Sequence, residues 1–350
     1  TSFCFIGIIT LILQVGAIVF IDDILRLIQI PEVIFRDTKS YMEIIFYGII
    51  FTSIYNYFAA VVRGLGNSVI PLIFLIISTI INIVLDYIFV VPLNMGIEGA
   101  AYATVIAQVI SAVGIAIYSI AKVPQLRINK KHMLLKKKML SRIASFSLLA
   151  SAQQSIMNFG ILMVQGLVNS FGVNVMAAFT TGVRIESFAY MPMQDFGNAF
   201  STFIAQNRGA RNQKRIKAGI KSAIRVIAVY SVIISGLVMV FASPLLRIFI
   251  DTSERQILDI GMGYIQIVAP FYILIGYLFM FYGLYRGLGK SSISIILTIV
   301  SLGTRVILAY TLSAIPSIGL IGIWWSIPIG WALADLLGLL ILYFQQRTKI

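Results

Sequence analysis

Three polar side chains in the first half of the sequence have the types and the spacing of a cation site. Asn82 and Asp86 are four residues apart in an apolar run, so both lie on one face if the run is helical. Thr104 lies about six residues into the next apolar run, and an antiparallel helix rising about 1.5 Å per residue would bring it nearly level with Asp86. A carboxylate, an amide oxygen and a hydroxyl are hard ligands that suit Na⁺, and the carboxylate can instead carry a proton. We therefore predict a site for Na⁺ or H⁺ at these residues.

The composition requires a membrane around the elements that carry these residues. Of the 350 residues, 59% are hydrophobic and 11% are charged, and the mean hydropathy is +0.96, whereas a soluble domain has about 25% charged residues. An acidic side chain inside a membrane span is costly and is a functional candidate by default, which favours Asp86. The single Cys4 excludes an internal disulfide and the single His132 disfavours zinc or haem. We predict no cofactor other than the coupling ion.

Long apolar runs indicate an all-α polytopic membrane protein, because each run can cross about 30 Å of hydrocarbon. Ten spans are predicted, near residues 1–21, 41–62, 69–91, 98–120, 146–170, 175–205, 220–243, 258–285, 292–314 and 320–345.

The basic residues predict how the spans are oriented. The segment Lys122–Arg142 has eight Lys and Arg and no acid, and the segment Gln206–Arg225 has seven and no acid. With the spans counted alternately, both segments and the C-terminus lie on one side, which the positive-inside rule assigns to the cytoplasm. The formal net charge of +14 therefore reflects topology, and we predict no nucleic-acid partner.

The chain contains an internal repeat. The motif RGLG begins at Arg63 and again at Arg286, an offset of 223 residues, and the flanking sequences align without gaps. The second copy, RGLGKS, is similar to a phosphate-binding loop, but its glycine spacing is wrong for one and the first copy lacks the lysine. We predict two tight cytoplasmic turns instead.

Both copies of the repeat run in the same direction, which predicts two pseudo-symmetric helix bundles about an axis along the membrane normal. Four spans precede the RGLG turn in the second copy and two precede it in the first, so we expect a 6+6 architecture whose first two helices come before Thr1. The predicted domains are an N-lobe over residues 1–121, a basic cytoplasmic linker over 122–145 and a C-lobe over 146–350.

The ordered set of motifs resembles the MATE family, the multidrug and toxic compound extrusion transporters, and looks most like its bacterial members. The motifs are NIVLDY at Asn82–Tyr87, MGIEGAAYATVIAQ at Met95–Gln108, FIAQNRGARNQKRI at Phe203–Ile216 and the two RGLG turns. The resemblance covers essentially the whole chain, from the family's third helix to its twelfth. It implies a two-lobed antiporter of the bacterial inner membrane that exports organic compounds in exchange for Na⁺ or H⁺.

The resemblance points to the same cation site in the first lobe. The family has an Asn-x-x-x-Asp pattern on its fifth helix and a Thr on its sixth, which match Asn82, Asp86 and Thr104. Tyr41 is a further and less specific match. The family's acidic residue on the first helix would precede Thr1.

The second copy of the repeat has lost these groups. The equivalents of the Asn, Asp and Thr are Arg305, Ala309 and Ile327. Some family members also have a glutamate on the seventh helix, where this chain has Gln153 and Gln154. We therefore expect coupling through the first lobe.

The substrate path is expected in the cleft between the lobes, near the membrane midplane. Polarizable methionines and amide groups there suit flat, amphipathic ligands, although amides at this depth also join helices to one another. The candidates are Gln154, Asn158, Met163, Met191 and Met193. We expect small, amphipathic, cationic substrates, the lipid bilayer as partner, and a monomer.

The predicted function is a Na⁺- or H⁺-coupled antiporter that exports such compounds by alternating access. One alternative is a lipid-linked oligosaccharide flippase of the same superfamily, which would need a strongly cationic central cavity. A polytopic membrane enzyme is disfavoured because the spans contain no HExxH motif and no Ser/His pair. A non-transporting scaffold would show no flux that depends on Asp86.

Overall fold

The computed structural model of the protein describes residues 2–27, 32–123, 137–251 and 253–347. Those residues form α-helices, turns and short connections without a β-strand, so the all-α prediction is confirmed. The helices are α1 (Ser2–Val19), α2 (Ile21–Leu27), α3 (Glu32–Gly64), α4 (Val69–Val90), α5 (Gly96–Lys122), α6 (Lys137–Asn169), α7 (Val173–Gly209), α8 (Gln213–Val240), α9 (Ala242–Arg247), α10 (Arg255–Val268), α11 (Tyr272–Gly287), α12 (Ser291–Ser313) and α13 (Leu320–Arg347). Most of the predicted basic linker, residues 124–136 with His132, lies outside the described residues.

The long helices correspond to the ten predicted spans. Among the described residues, eight helical segments are long and apolar enough to cross a membrane. Helices α6 and α7, with 33 and 37 residues, are long enough but more polar. Helices suit this environment because they satisfy their own backbone hydrogen bonds, and hydrocarbon provides no water to do so.

Two spans differ in detail from the prediction. Helix α3 begins at Glu32, earlier than the apolar run, and its polar first turns are tied to α2 by an ion pair in which Lys39 Nζ lies 2.8 Å from Asp22 Oδ1. The span over 258–285 consists of α10 and α11, which are separated by a 3₁₀ turn that contains Pro270. Proline lacks the N–H that the helix would need at that point.

The chain divides into two compact units, residues 1–144 and residues 145–350. In the first unit, α3 and α4 both pack on α5, and α1 packs on α3. The small buried core of this unit contains Phe58, Ala59 and Ile115. Many of its large apolar side chains stay exposed, including Ile83 and Val84. Such an apolar surface is suited to lipid contact.

The second unit is built around α11, which packs against α7, α8, α12 and α13. The crossing of α7 and α11 is close because glycines meet there: a Cβ added to Gly197 would lie 2.5 Å from the carbonyl oxygen of Phe279. The buried core includes the rings of Phe179, Tyr264 and Trp324. Phe179 stacks on Trp324 with ring centroids 5.4 Å apart. The second unit is therefore much more fully packed than the first.

The internal repeat is visible in the backbone of the two RGLG turns. Gly66 and Gly289 both have positive φ, +96° and +67°. In each turn the glycine N–H donates to the arginine carbonyl three residues earlier at 2.9 Å, Arg63 in the first turn and Arg286 in the second. The following N–H closes the turn on the carbonyl five residues earlier, at 3.1 and 2.8 Å. Both turns join helices, α3 to α4 and α11 to α12, as predicted for tight turns rather than phosphate loops.

A second pair of glycines has the same offset. Gly96, at the start of α5, has φ +57°, and Gly319, just before α13, has φ +51°. The two halves therefore share turn conformations as well as helix order.

We expect Gly66→Ala to destabilise the protein. Its φ is accessible to glycine but costs an L-residue roughly 1–2 kcal/mol, although an added Cβ would meet no atom within 4 Å. Thermal unfolding of the purified protein in detergent measures the effect. Gly7→Ala is the matched control, because Gly7 lies inside α1 with equally open space. Equal melting temperatures for the two variants would show that the left-handed conformation does not matter for stability.

Candidate cation site in the first unit

Helices α4 and α5 are joined by side-chain hydrogen bonds spaced about one turn apart. In order along α4, Ser111 Oγ donates to the Phe74 carbonyl at 3.3 Å, Ser78 Oγ donates to the Ala107 carbonyl at 3.0 Å, and Asn82 Nδ2 donates to Thr104 Oγ1 at 3.3 Å. The regular spacing defines an antiparallel register for the two helices. Each bond provides a hydrogen-bond partner to a polar side chain that would have none in the hydrocarbon of the membrane.

Asp86 is the next residue of this series on α4, one turn beyond Asn82. Continuing the register places Ala100 opposite Asp86, and an alanine side chain has no donor. The carbonyl of Ala100 already accepts from Thr104 Oγ1 at 3.0 Å. Asp86 Oδ1 is buried and has no hydrogen-bond partner among the described residues. We call this row of side-chain hydrogen bonds the α4–α5 seam. It ends at the unpaired carboxylate oxygen of Asp86, one turn beyond the amide of Asn82 and its partner, the hydroxyl of Thr104.

The arrangement refines the predicted depth of Thr104. Its hydroxyl is level with Asn82 rather than with Asp86, so the three groups follow the seam instead of forming one layer. Asn82, Asp86 and Thr104 are all half-buried. The binding roles of these residues remain predictions.

Tyr41 lies on α3 and is half-buried. Within the described part of the chain, no hydrogen bond joins its hydroxyl to Asn82, Asp86 or Thr104. Its place in the cation site therefore rests on the family resemblance alone.

A separate groove of about 710 Å³ in the first unit lies between α1, α3 and α5. Its polar lining includes Asn56 on α3 and Gln108 on α5. Gln108 Oε1 is buried without a hydrogen-bond partner and lies beside Gly48, where an added Cβ would be 2.5 Å from it. Sequence reasoning missed this groove because Asn56 and Gln108 are far apart in the chain, and only the packing of α3 on α5 brings them together.

The amide residues of α6 have two different roles. The predicted substrate residues Gln154 and Asn158 are exposed and bond to each other within the helix, with Gln154 Nε2 3.3 Å from Asn158 Oδ1. Gln153 is buried and donates to Thr298 Oγ1 on α12 at 3.0 Å. The residue that joins helices is thus Gln153, and the two neighbouring candidates keep an open polar face.

The three candidate methionines are placed very differently. Met163 and Met191 are 37% and 53% exposed within this structure, whereas Met193 is 2% exposed and belongs to the core of the second unit. Met193 therefore offers the least surface to a ligand in this conformation. A substrate role for these methionines is still a prediction.

Buried charged groups cluster in the second unit. Glu186 on α7 accepts a hydrogen bond from the Tyr264 hydroxyl on α10. Glu186 and Arg305 line one cavity of about 100 Å³, and Arg305 Nε has no hydrogen-bond partner among the described residues. A cavity of that volume holds about three waters.

The acid Asp335 on α13 is also buried, and both of its oxygens lack a hydrogen-bond partner among the residues that the structure describes. No ion pair joins it to Arg305 in the described ranges of the chain.

The architecture defines a multi-pass helical membrane protein with two units, and comparison with known families identifies which one. A family model described as MatE matches residues 1–88 and 138–311. The chain therefore belongs to the MatE family, which confirms the resemblance drawn from its motifs.

Relatives with assigned names agree with this family. The chain is 28% identical over 345 residues to the probable multidrug resistance protein YoeA of Bacillus subtilis strain 168, which covers 96% of this chain and 74% of that protein. It is 30% identical over 287 residues to the probable multidrug resistance protein YpnP of the same strain, which covers 79% of this chain and 62% of that protein. The relatives are named for drug resistance and not for an enzyme activity, in agreement with the prediction.

Solved structures show the same fold. An outward-facing multidrug resistance MATE family transporter of the MOP superfamily matches with a TM-score of 0.90 and 23% identity, covering 99% of this chain and 77% of that chain. At this identity the likeness establishes the fold.

We expect Thr104→Val to weaken the α4–α5 seam. The substitution removes the acceptor of Asn82 Nδ2 and should cost about 0.6–1.7 kcal/mol, the range measured for hydrogen bonds between transmembrane helices. Unfolding in mixed micelles measures the free energy. Thr79→Val is the control, because Thr79 is exposed on α4 and bonds only within its helix, to the Leu75 carbonyl. An equal loss in both variants would contradict a stabilising role for the seam.

Proposed function

We propose that the protein is a cation-coupled antiporter of the bacterial cytoplasmic membrane that exports small, amphipathic, cationic compounds by alternating access. The coupling ion is Na⁺ or H⁺, and it binds at Asp86 with Asn82 and Thr104 beside it. The C-terminus lies in the cytoplasm, and the protein acts as a monomer. Family membership and the names of the relatives support export of drugs.

The observation that carries the proposal is the unpaired oxygen of Asp86 at the end of the α4–α5 seam. Polar side chains earlier in the seam are satisfied by their neighbours, and this carboxylate oxygen is not. A charge in a membrane span without a partner is expensive, by about 2.5–3.5 kcal/mol on insertion scales. A bound Na⁺ or proton removes that cost, so ion binding and the packing of α4 on α5 are linked.

Coupling requires that the ion and the substrate favour different arrangements of the protein. An ion on Asp86 stabilises the seam in which its carboxylate is half-buried, whereas the empty site favours a seam that lets water reach the carboxylate. The exposed amides Gln154 and Asn158 and the exposed Met163 and Met191 offer a polar and polarizable surface for the substrate. The orientation of the protein in the membrane, and with it the outward direction of transport, follows from the basic segments that the positive-inside rule assigns to the cytoplasm.

Dye efflux from proteoliposomes tests the proposal. The purified protein is reconstituted, ethidium is loaded, and Na⁺ and pH gradients are imposed in separate experiments. We expect one of the gradients to drive efflux and Asp86→Asn to reduce that efflux to the passive leak. The reason is that Asn keeps the shape of the Asp side chain but cannot bind and release Na⁺ or H⁺. The gradient that works identifies the ion.

A matched control variant distinguishes loss of the cation site from a general loss of negative charge in the first unit. Asp23→Asn changes an exposed acid of α2 in the same unit and should leave efflux unchanged. Full efflux by a folded Asp86→Asn variant would remove Asp86 from the coupling site and leave the family assignment intact. Failure of both gradients to move any cationic dye would contradict the antiporter and favour the lipid-linked oligosaccharide flippase.

A further inference from the structure

Asp335 is the most deeply isolated acid in the described part of the chain. It lies inside the span formed by α13, its side chain is 5% exposed, and neither carboxylate oxygen has a hydrogen-bond partner. Asp86, by comparison, has one unpaired oxygen and is only half-buried.

Helices α11 and α12 pack closely against α13 near Asp335. On one side of it along α13, a Cβ added to Gly330 would clash with the Ser301 carbonyl of α12, and on the other a Cβ added to Gly338 would lie 3.0 Å from the Phe281 ring of α11. The Gly338 carbonyl accepts from the Tyr285 hydroxyl at 2.7 Å. Two helices therefore close on α13 on both sides of the acid.

The titratable groups that face Asp335 offer it no cation. On α11, Tyr277 and Tyr282 lie within electrostatic range of it, and both are neutral phenols. Arg286, one turn beyond Tyr282, donates instead to the Tyr282 carbonyl at 3.2 Å and to Asn198 Oδ1 at 3.0 Å.

The polar groups of the other neighbouring helices lie near Glu186. Arg305 on α12 lines the same cavity as Glu186 and lies within electrostatic range of that carboxylate. Tyr264 on α10 donates its hydroxyl to Glu186. Glu186 therefore has a hydroxyl donor and a guanidinium nearby.

The buried charges of the second unit consequently do not balance unless a proton is bound. Among the described residues of this unit, the buried charged side chains are two acids, Glu186 and Asp335, and one guanidinium, that of Arg305. Glu186 has a hydroxyl donor and the guanidinium nearby, whereas Asp335 has neither. Burial without a donor or a counter-ion disfavours the ionised form of a carboxyl.

We propose that Asp335 is a proton-binding site in the second unit and that its carboxyl is protonated at neutral pH in this conformation. The ligand is a single H⁺, since the described residues contain no group of three or more His, Cys, Asp or Glu side chains that could hold a metal ion. The proton leaves only when a rearrangement of α11, α12 and α13 lets water reach the carboxyl. The inference does not depend on Asp86, which lies in the other unit.

Infrared spectroscopy of the purified protein at pH 7 tests this directly, because a protonated carboxyl has a carbonyl stretching band that a carboxylate lacks. We expect the difference between the wild-type protein and Asp335→Asn to show the loss of one such band. Glu186→Gln should retain the band, because the proposal leaves Glu186 ionised. Asp195→Asn, which changes an exposed acid of α7, is the control and should also retain it.

Each alternative result overturns the proposal. Identical carboxyl bands in the wild-type and Asp335→Asn proteins would show that Asp335 is ionised. Loss of the band in Glu186→Gln, with retention in Asp335→Asn, would assign the proton to Glu186. Melting in detergent gives a second readout: Asn has nearly the shape of a protonated Asp, so the melting temperature should be unchanged, and a clear fall would show that a negative charge is needed there.

Discussion

Hydrocarbon offers no hydrogen bonds, and this constraint organises the whole structure. The backbone meets it by forming helices, and polar side chains inside the spans meet it by bonding to a neighbouring helix or to their own. The α4–α5 seam shows the solution in the first unit, where Ser78 and Asn82 each find a partner on α5. Gln153 and Thr298 show it in the second unit.

Among the groups that do not satisfy this constraint, the acids Asp86 and Asp335 can change charge, whereas the buried amide oxygen of Gln108 cannot. Asp86 is half-buried and Asp335 is buried, and both have unpaired oxygens, while Ser78 on the helix of Asp86 and Gln153 and Thr298 in the second unit are paired. A hydroxyl or amide without a partner would only destabilise the fold. An acid without a partner can instead take up a cation, so the local instability becomes a dependence of conformation on ion binding.

The two halves of the chain show how one fold accommodates different chemistry. Gly66 and Gly289 keep the same turn, and Gly96 and Gly319 keep the same helix start, because the backbone conformation there needs glycine. At the position of Asn82, however, the second half has Arg305, and at the position of Asp86 it has the fully buried Ala309. Backbone geometry is retained where the fold needs it, while the polar residues between the turns have diverged. The fold alone therefore does not specify the ion site or the substrate.

The sequence by itself determined the ten apolar spans and their repeat, because apolar run length and glycine-containing turns are local properties of the chain. It also indicated Asn82, Asp86 and Thr104, since two helices joined by a short turn have little freedom in their register. It did not show that Thr104 would bond to Asn82 and leave Asp86 Oδ1 unpaired, or that Gln153 rather than Gln154 would join α6 to α12. It identified Arg305 only as the counterpart of Asn82 in the repeat. The packing of α7, α10, α12 and α13 decides that Glu186 accepts a hydrogen bond from Tyr264 and that Asp335 has no donor. Contacts between residues so distant in sequence are decided only by the tertiary structure.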